Sequence, residues 1–301
     1  MTQGQPALNI NIAGQQCLVR CNDKAFRDII AERYSTFLTT SPAASTFMVE
    51  VQVRSAPVRA GWEPRFITHP GVDPMPLPPD YEAERDGPLQ AYEAAAIPGG
   101  LRVAAENTLR GELDLASRRG RIAQERNIYL FHTALRQFLA YLLPLEDQGC
   151  MLHASGVALG GQAAGFFGVS GSGKSTIARL ASSAVLTDES LALLRNSGRW
   201  IAHTTPFWGD YDPGPSPVES APLASLFHLV KAERDRVTRL SWQEAVRELS
   251  QSLMYQIRDP AYEAALFRQA CALASEVPCY RLEFRPTVEV WDTVSAALRE
   301  L

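Results

Sequence analysis

"LHASGVALGGQAAGFFGVSGSGKST", residues 152–176, decides how the chain is read. Its first half holds two apolar runs, LHASGVAL and AAGFFGV, joined by GGQ. A three-residue turn cannot make the crossover that parallel strands need, so the runs are expected to pair antiparallel. The second half, from Gly168 to Ser175, fits G-x-x-x-x-G-K-[ST] in full, with an apolar strand before it and a helix, KSTIARLASS, after it. Glycines let the backbone curl so that its N–H groups face phosphate oxygens, and the helix start adds its dipole. Lys174 is expected to reach the β- and γ-phosphates, and Ser175 to offer its hydroxyl to Mg²⁺. The cradle is Gly168, Ser170, Gly171, Ser172, Gly173, Lys174, Ser175 and Thr176. A glycine turn that fits by chance is the alternative, and pattern, flanks and order all argue against it.

About a dozen residues beyond the start of this helix, AVLTDES reads as a strand ending in two adjacent acids, Asp188 and Glu189. An acid there can hold a metal or accept a hydroxyl proton. Neighbours on a strand point to opposite faces, so the two acids are open to different roles. His153 lies on the strand before the phosphate strand, which brings it near the loop. On its own, a histidine in an apolar strand is more often a packing residue. The segment HTTPFWGD carries His203, Trp208, Gly209 and Asp210 in a loop, and Trp208 and Asp210 are candidate substrate contacts.

The rest of the chain bounds the answer. It has 301 residues, 46% hydrophobic and 21% charged, with a net charge of −4. That composition suits an ordinary globular protein of about two domains. The charge favours neither nucleic acid nor an anionic membrane as partner. No apolar run nears the roughly 18 residues of a spanning helix, and MTQGQPALNI is not a signal peptide. A cytoplasmic location is expected. Five scattered cysteines (Cys17, Cys21, Cys150, Cys271, Cys279) read as packing thiols, with no disulfide framework or zinc spacing.

Residues 1–145 read as a strand-rich α+β domain with a proline-rich loop over 69–98. A helix over 127–143 carries Ile128, Phe131, Leu135, Phe138, Leu139 and Leu142 on one face and should end or kink at Pro144. His132, off that stripe, should be solvated. Residues 146–301 form the second domain. There Ser241 with Glu244 makes a capping box, and Asp259 followed by Pro260 starts another helix.

LHAS, the strand, GVSGSGKST, the helix and LTDE, in that order, resemble the catalytic domain of HPr kinase/phosphorylase. The chain is more similar still to the HPr-kinase-related serine kinases of peptide-modification clusters, lasso-peptide precursor kinases among them. TTPFWGD, APLASLFHLVKAE and VPCYRLEFRPTVEVWDTV share the likeness, which covers roughly residues 146–295. The resemblance implies an α/β (α+β) fold with a mixed, largely antiparallel sheet of the phosphoenolpyruvate carboxykinase type, in place of a doubly wound parallel sheet. It implies an ATP- and Mg²⁺-dependent kinase whose acceptor is a serine or other hydroxyl of a peptide or small protein. A small-molecule alcohol kinase and a non-catalytic nucleotide-binding regulator are the alternatives. His153 would lie beside the transferred phosphate. Asp188 would act as base and Glu189 on the metal side, with Ser175. HPr kinase itself usually has two aspartates here, so Glu189 is a departure that leaves the choice of base open. The second signature of the reverse, phosphorylase reaction is absent from the sequence. The family it resembles often forms oligomers.

Overall fold

The computed structural model describes residues 6–40, 46–54, 92–105, 108–209, 211, 216–253 and 257–299. Two mixed, mostly antiparallel sheets carry the fold. The first orders its strands β1 (Leu8–Ile12), β2 (Gln15–Cys21), β3 (Thr46–Val53), β7 (Arg119–Gln124), β6 (Leu109–Asp114), β5 (Gly100–Ala105) and β4 (Tyr92–Ile97). Helix α1 (Lys24–Arg33), N-capped by Asp23, crosses from β2 to β3, and so those two strands run parallel. The β3–β7 pair is parallel as well.

The proline-rich loop expected over 69–98 needs a correction at its end: Tyr92–Ile97 is β4, paired antiparallel to β5. Its YEAAAI sequence holds no proline, and Pro98 falls in the turn after it. Residues 69–91 lie outside the described residues.

The second sheet runs β10 (Val185–Thr187), β8 (Gly149–Leu159), β11 (Ser190–Asn196), β12 (Arg199–His203), β13 (Ser220–Lys231), β15 (Cys279–Phe284) and β14 (Arg236–Arg239). Strand β9 (Gln162–Phe167) pairs antiparallel with β8 and parallel with β13. The pairings β8–β11–β12–β13–β9–β8 therefore close a circuit. The β8–β9 hairpin expected from sequence is present, with a tighter turn. Leu159 pairs with Gln162, which leaves Gly160 and Gly161, both at positive φ, as the whole connection. Two left-handed residues match the twist of a hairpin, which is why a Gly-Gly pair serves here.

Helices sandwich this sheet. On one face α3 (Lys174–Arg179) and α6 (Val290–Arg299) cover Phe166, Phe227 and Phe284. The other face meets α4 (Trp242–Ser252), α5 (Pro260–Glu276) and α2 (Ile128–Leu145). The Ser241 capping box and the Asp259 cap with Pro260 at the helix start are as expected.

Helix α2 corrects the reading in two ways. It does not end at Pro144 but runs on to Leu145: the Ala140 carbonyl, which a proline at 144 leaves without its helical N–H, accepts instead from the Tyr262 hydroxyl at 3.2 Å. It is also buried nearly all round, for it touches β5, β6 and β7 of the first sheet and β8 and α5 of the second. One hydrophobic cluster accordingly runs from Ile10 to Cys279 across the position near 146 where a boundary was expected. His132 is half-buried and packed against other side chains rather than free in solvent. Its ring lies edge-on to Phe207, centroids 4.9 Å apart, and its Nδ1 is 3.2 Å from the Tyr34 hydroxyl.

Candidate functional site

The glycine-rich loop leaves the sheet from β9, and period-two alternation fixes that strand. Phe166 points into the cluster under α3 and α6, stacked on Phe227 at 5.3 Å. Phe167 points to the opposite core, 5.5 Å from the ring of His228. Each fully buried phenylalanine contributes about 1.5–3 kcal/mol, so the start of the loop is held from both faces. Gly173, the N-cap of α3, has φ +107. A Cβ there would lie 2.6 Å from Phe284 Cζ, so only glycine fits. Lys174 is 7% exposed, and its ammonium donates to the carbonyls of Gly168 and Val169 at 3.0 and 3.1 Å. The charge is thus gathered over its own loop.

Asp188 comes to this loop from the end of β10. It is 1% exposed. The Ser175 hydroxyl donates to its Oδ2 at 3.2 Å, the Gly209 N–H to its Oδ1 at 2.7 Å and the Tyr211 N–H to its Oδ2 at 2.9 Å. Burial pushes its pKa above the ordinary carboxylate value, against the pull of the two backbone N–H groups. Glu189 takes a different partner: its Oε1 is 3.3 Å from Nη1 of Arg136, on α2. The two acids lie in the bend between β10 and β11 rather than on a strand, so strand alternation does not apply to them; they share Gly209 as a neighbour but take different side-chain partners.

His153 lies between the two halves of the site. It pairs across β8–β11 with Ser190, while its neighbour Ala154 pairs with Phe167 on β9 and donates its N–H to the Glu189 carbonyl at 2.9 Å. One strand therefore links the start of the glycine loop to the acidic pair.

Trp208 and Gly209 belong to the segment that Asp188 holds. The Arg33 guanidinium, from α1, lies 4.4 Å over the Trp208 ring, and the buried indole N–H has no hydrogen-bond partner. Gly209 is close enough to Glu189 that a Cβ would meet Oε2 at 2.9 Å. Asp210 lies outside the described residues. His203 stays in β12, paired with Ser220.

Sequence reasoning missed Arg33, Arg136, Tyr92 and Thr187, whose hydroxyl donates to the Phe207 carbonyl at 3.3 Å. Only Arg136 left a signal: a cation inside the apolar run LFHTALRQFLAYLL.

Residues 123–299, more than half of the chain, match the family described as SynChlorMet cassette protein ScmC. The chain belongs to that family. No curated protein matches it. The ScmC match begins in β7 and so takes in α2, which places Arg136 and His132 in the same family stretch as the glycine loop and Asp188.

In this ScmC chain the residues fit a bound polyphosphate. A buried ammonium, a glycine cradle whose Gly173 has no room for a side chain, and a hydroxyl lie in sequence along one loop. They also fit Mg²⁺, which takes oxygen ligands, few of them from protein where phosphates supply others. The Ser175 hydroxyl and Asp188 carboxylate form that oxygen pair, with Glu189 next in the chain. Among the described residues no three His, Cys, Asp or Glu converge, so the protein oxygens alone form no metal cage. No helix among the described residues is long and apolar enough to cross a membrane.

Proposed function

We propose that this ScmC-family protein is an ATP-dependent phosphotransferase, related to HPr kinase, that phosphorylates a serine or other hydroxyl of a peptide or small protein. The observation that carries the reading is the contact of Ser175 with Asp188 beside the buried Lys174. A chance glycine turn would have no reason to join its hydroxyl to a buried carboxylate from another strand.

In this reading the loop N–H groups and Lys174 bind the β- and γ-phosphates and offset charge that grows on the transferred group. Asp188 accepts the proton of the acceptor hydroxyl, since burial makes its carboxylate a stronger base than an exposed one. The Gly209 and Tyr211 N–H groups hold it in one orientation. Mg²⁺, when bound through Ser175 with Asp188 or Glu189, would supply charge neutralisation at the phosphates. His153, on the strand between loop and acids, would lie at the edge of the transferred phosphate. Trp208 lines the approach.

The family's description as a cassette protein makes the products of neighbouring genes the first acceptors to try. The test is incubation with ATP, Mg²⁺ and such acceptors, followed by mass spectrometry for one added phosphoryl group. Lys174→Ala should abolish both ATP binding and transfer. An Ala variant that binds and transfers like the parent would refute the site.

A further inference from the structure

Helix α2 is apolar and enclosed by both sheets, yet it carries Arg136 at its middle. The Arg136 side chain is only 14% exposed, and its Nε is buried with no hydrogen-bond partner. A buried guanidinium is a weak source of stability, since desolvation offsets most of what the ion pair gains. A hydrocarbon side chain would pack at this position at less cost. What the cation does reach is Glu189, at 3.3 Å. On its other side stands Tyr92, from the edge strand β4 of the first sheet. Gln137, itself buried, donates to the Tyr92 hydroxyl at 2.8 Å, and Arg136 Nη2 lies 3.5 Å from the same oxygen.

Among the described residues, Glu189 has no comparable hold from its own half of the chain. Asp188 is fixed by Ser175 and two loop N–H groups, but the Glu189 side chain is 28% exposed and merely borders Gly209. We infer that Arg136 is a positioning residue that fixes the Glu189 carboxylate beside Gly209 and next to Asp188, and that Tyr92 and Gln137 brace it, so that the first sheet completes the site. This inference rests on the phosphotransferase reading. It adds that residues before 146 act in transfer even where they do not touch the acceptor.

The experiment uses the full chain. Arg136→Met keeps the aliphatic stem and removes the charge. Because a displacement of about 1 Å can cost on the order of 10²-fold in rate, kcat should fall about 10- to 100-fold while KM for ATP stays within about threefold. Arg136→Lys should recover part of the rate. In a Glu189→Gln background, Arg136→Met should lower kcat hardly further, since both changes remove one interaction. A purely structural tie would give additive losses, with the melting temperature and ATP affinity falling together, and that result would overturn the inference. If Arg136→Met does not fold, Tyr92→Phe removes the bracing hydroxyl. It should lower kcat several-fold at unchanged KM, and unchanged kcat would overturn the inference too. The two readings fail in different ways. A parent chain that neither binds nor turns over ATP defeats the function and this inference with it. A parent that does both, alongside an equally active Arg136→Met, defeats this inference alone.

Discussion

Replacing Gly173 by alanine tests the loop geometry without any knowledge of the acceptor. Two separate costs follow from the structure. The backbone at φ +107 lies where an L-residue is strained, by about 1–2 kcal/mol. The new Cβ would also meet Phe284 Cζ at 2.6 Å and Cε1 at 3.3 Å. Phe284 is 1% exposed in a cluster with Phe227, Val290 and Val294, so its ring has nowhere to swing. Overpacking of this kind costs about 1–3 kcal/mol. Together the loss is about 2–5 kcal/mol, to be read from the denaturant midpoint at unchanged slope. Phe284→Leu deletes the atom that collides. In that background Gly173→Ala should retain only its backbone strain, so the double-mutant cycle should depart from additivity by about 1–3 kcal/mol. ATP affinity should fall in the single variant, because the loop must shift to admit the methyl group. An alanine variant within about 0.5 kcal/mol of the parent, or an additive cycle, would refute the claim that Phe284 sets the glycine requirement.

Asp188→Asn should keep ATP binding and lower turnover by about 10²–10⁴-fold, the usual worth of a general base. Full turnover in the Asn variant would remove Asp188 from that role. Its stability signature has a definite sign. Burial raises the Asp188 pKa, so the folded chain holds this proton to higher pH than the unfolded one. The contribution of Asp188 therefore declines as pH rises from the ordinary carboxylate value through the raised one, and the Asn variant should lack that slope. His203 gives the opposite sign. Burial depresses its pKa from 6.5 to about 4, so the unfolded chain binds the extra proton and stability should rise with pH across that interval. Unfolding measured in His203→Gln should lose this rise, and an unchanged profile would show that His203 is not its source.

Much of the site was legible because it is local. The glycine loop, its strand, its helix and the acidic pair fall within residues 162–189, where spacing alone brings them together. The hairpin was legible for the same reason: a two-residue glycine turn leaves no other way to pair β8 with β9. What could not be read is what arrives from far along the chain. Arg136 meets Glu189 across 53 positions and Tyr92 meets Gln137 across 45, and no local period encodes such contacts. His132 was misjudged on similar grounds. Its place off the apolar stripe of α2 implies solvent only if the helix has one buried face, and α2 has two sheets around it. Strand β14, RVTR, passed unnoticed because four mostly exposed residues, two of them arginine, carry no alternating signal.

The enclosure of α2 bears on how the two halves of the chain share a task. Leu130, Phe131, Leu135, Phe138 and Leu139 are all within 5% of full burial, and each such side chain contributes about 1.5–3 kcal/mol by staying there. A helix held this firmly is a good support for a charge that must not wander. The glycine loop and Asp188 supply their own scaffold on the second sheet. Glu189, Trp208 and Phe207 instead lean on Arg136, Arg33 and His132, which come from α1 and α2. Phosphate binding would then belong to the second sheet alone, whereas the geometry of the acidic pair and of the loop beside it depends on both. Substitutions on α1 and α2 should for that reason alter turnover and acceptor choice more than affinity for ATP, a division of labour that the positions of these side chains impose on any reaction run at this site.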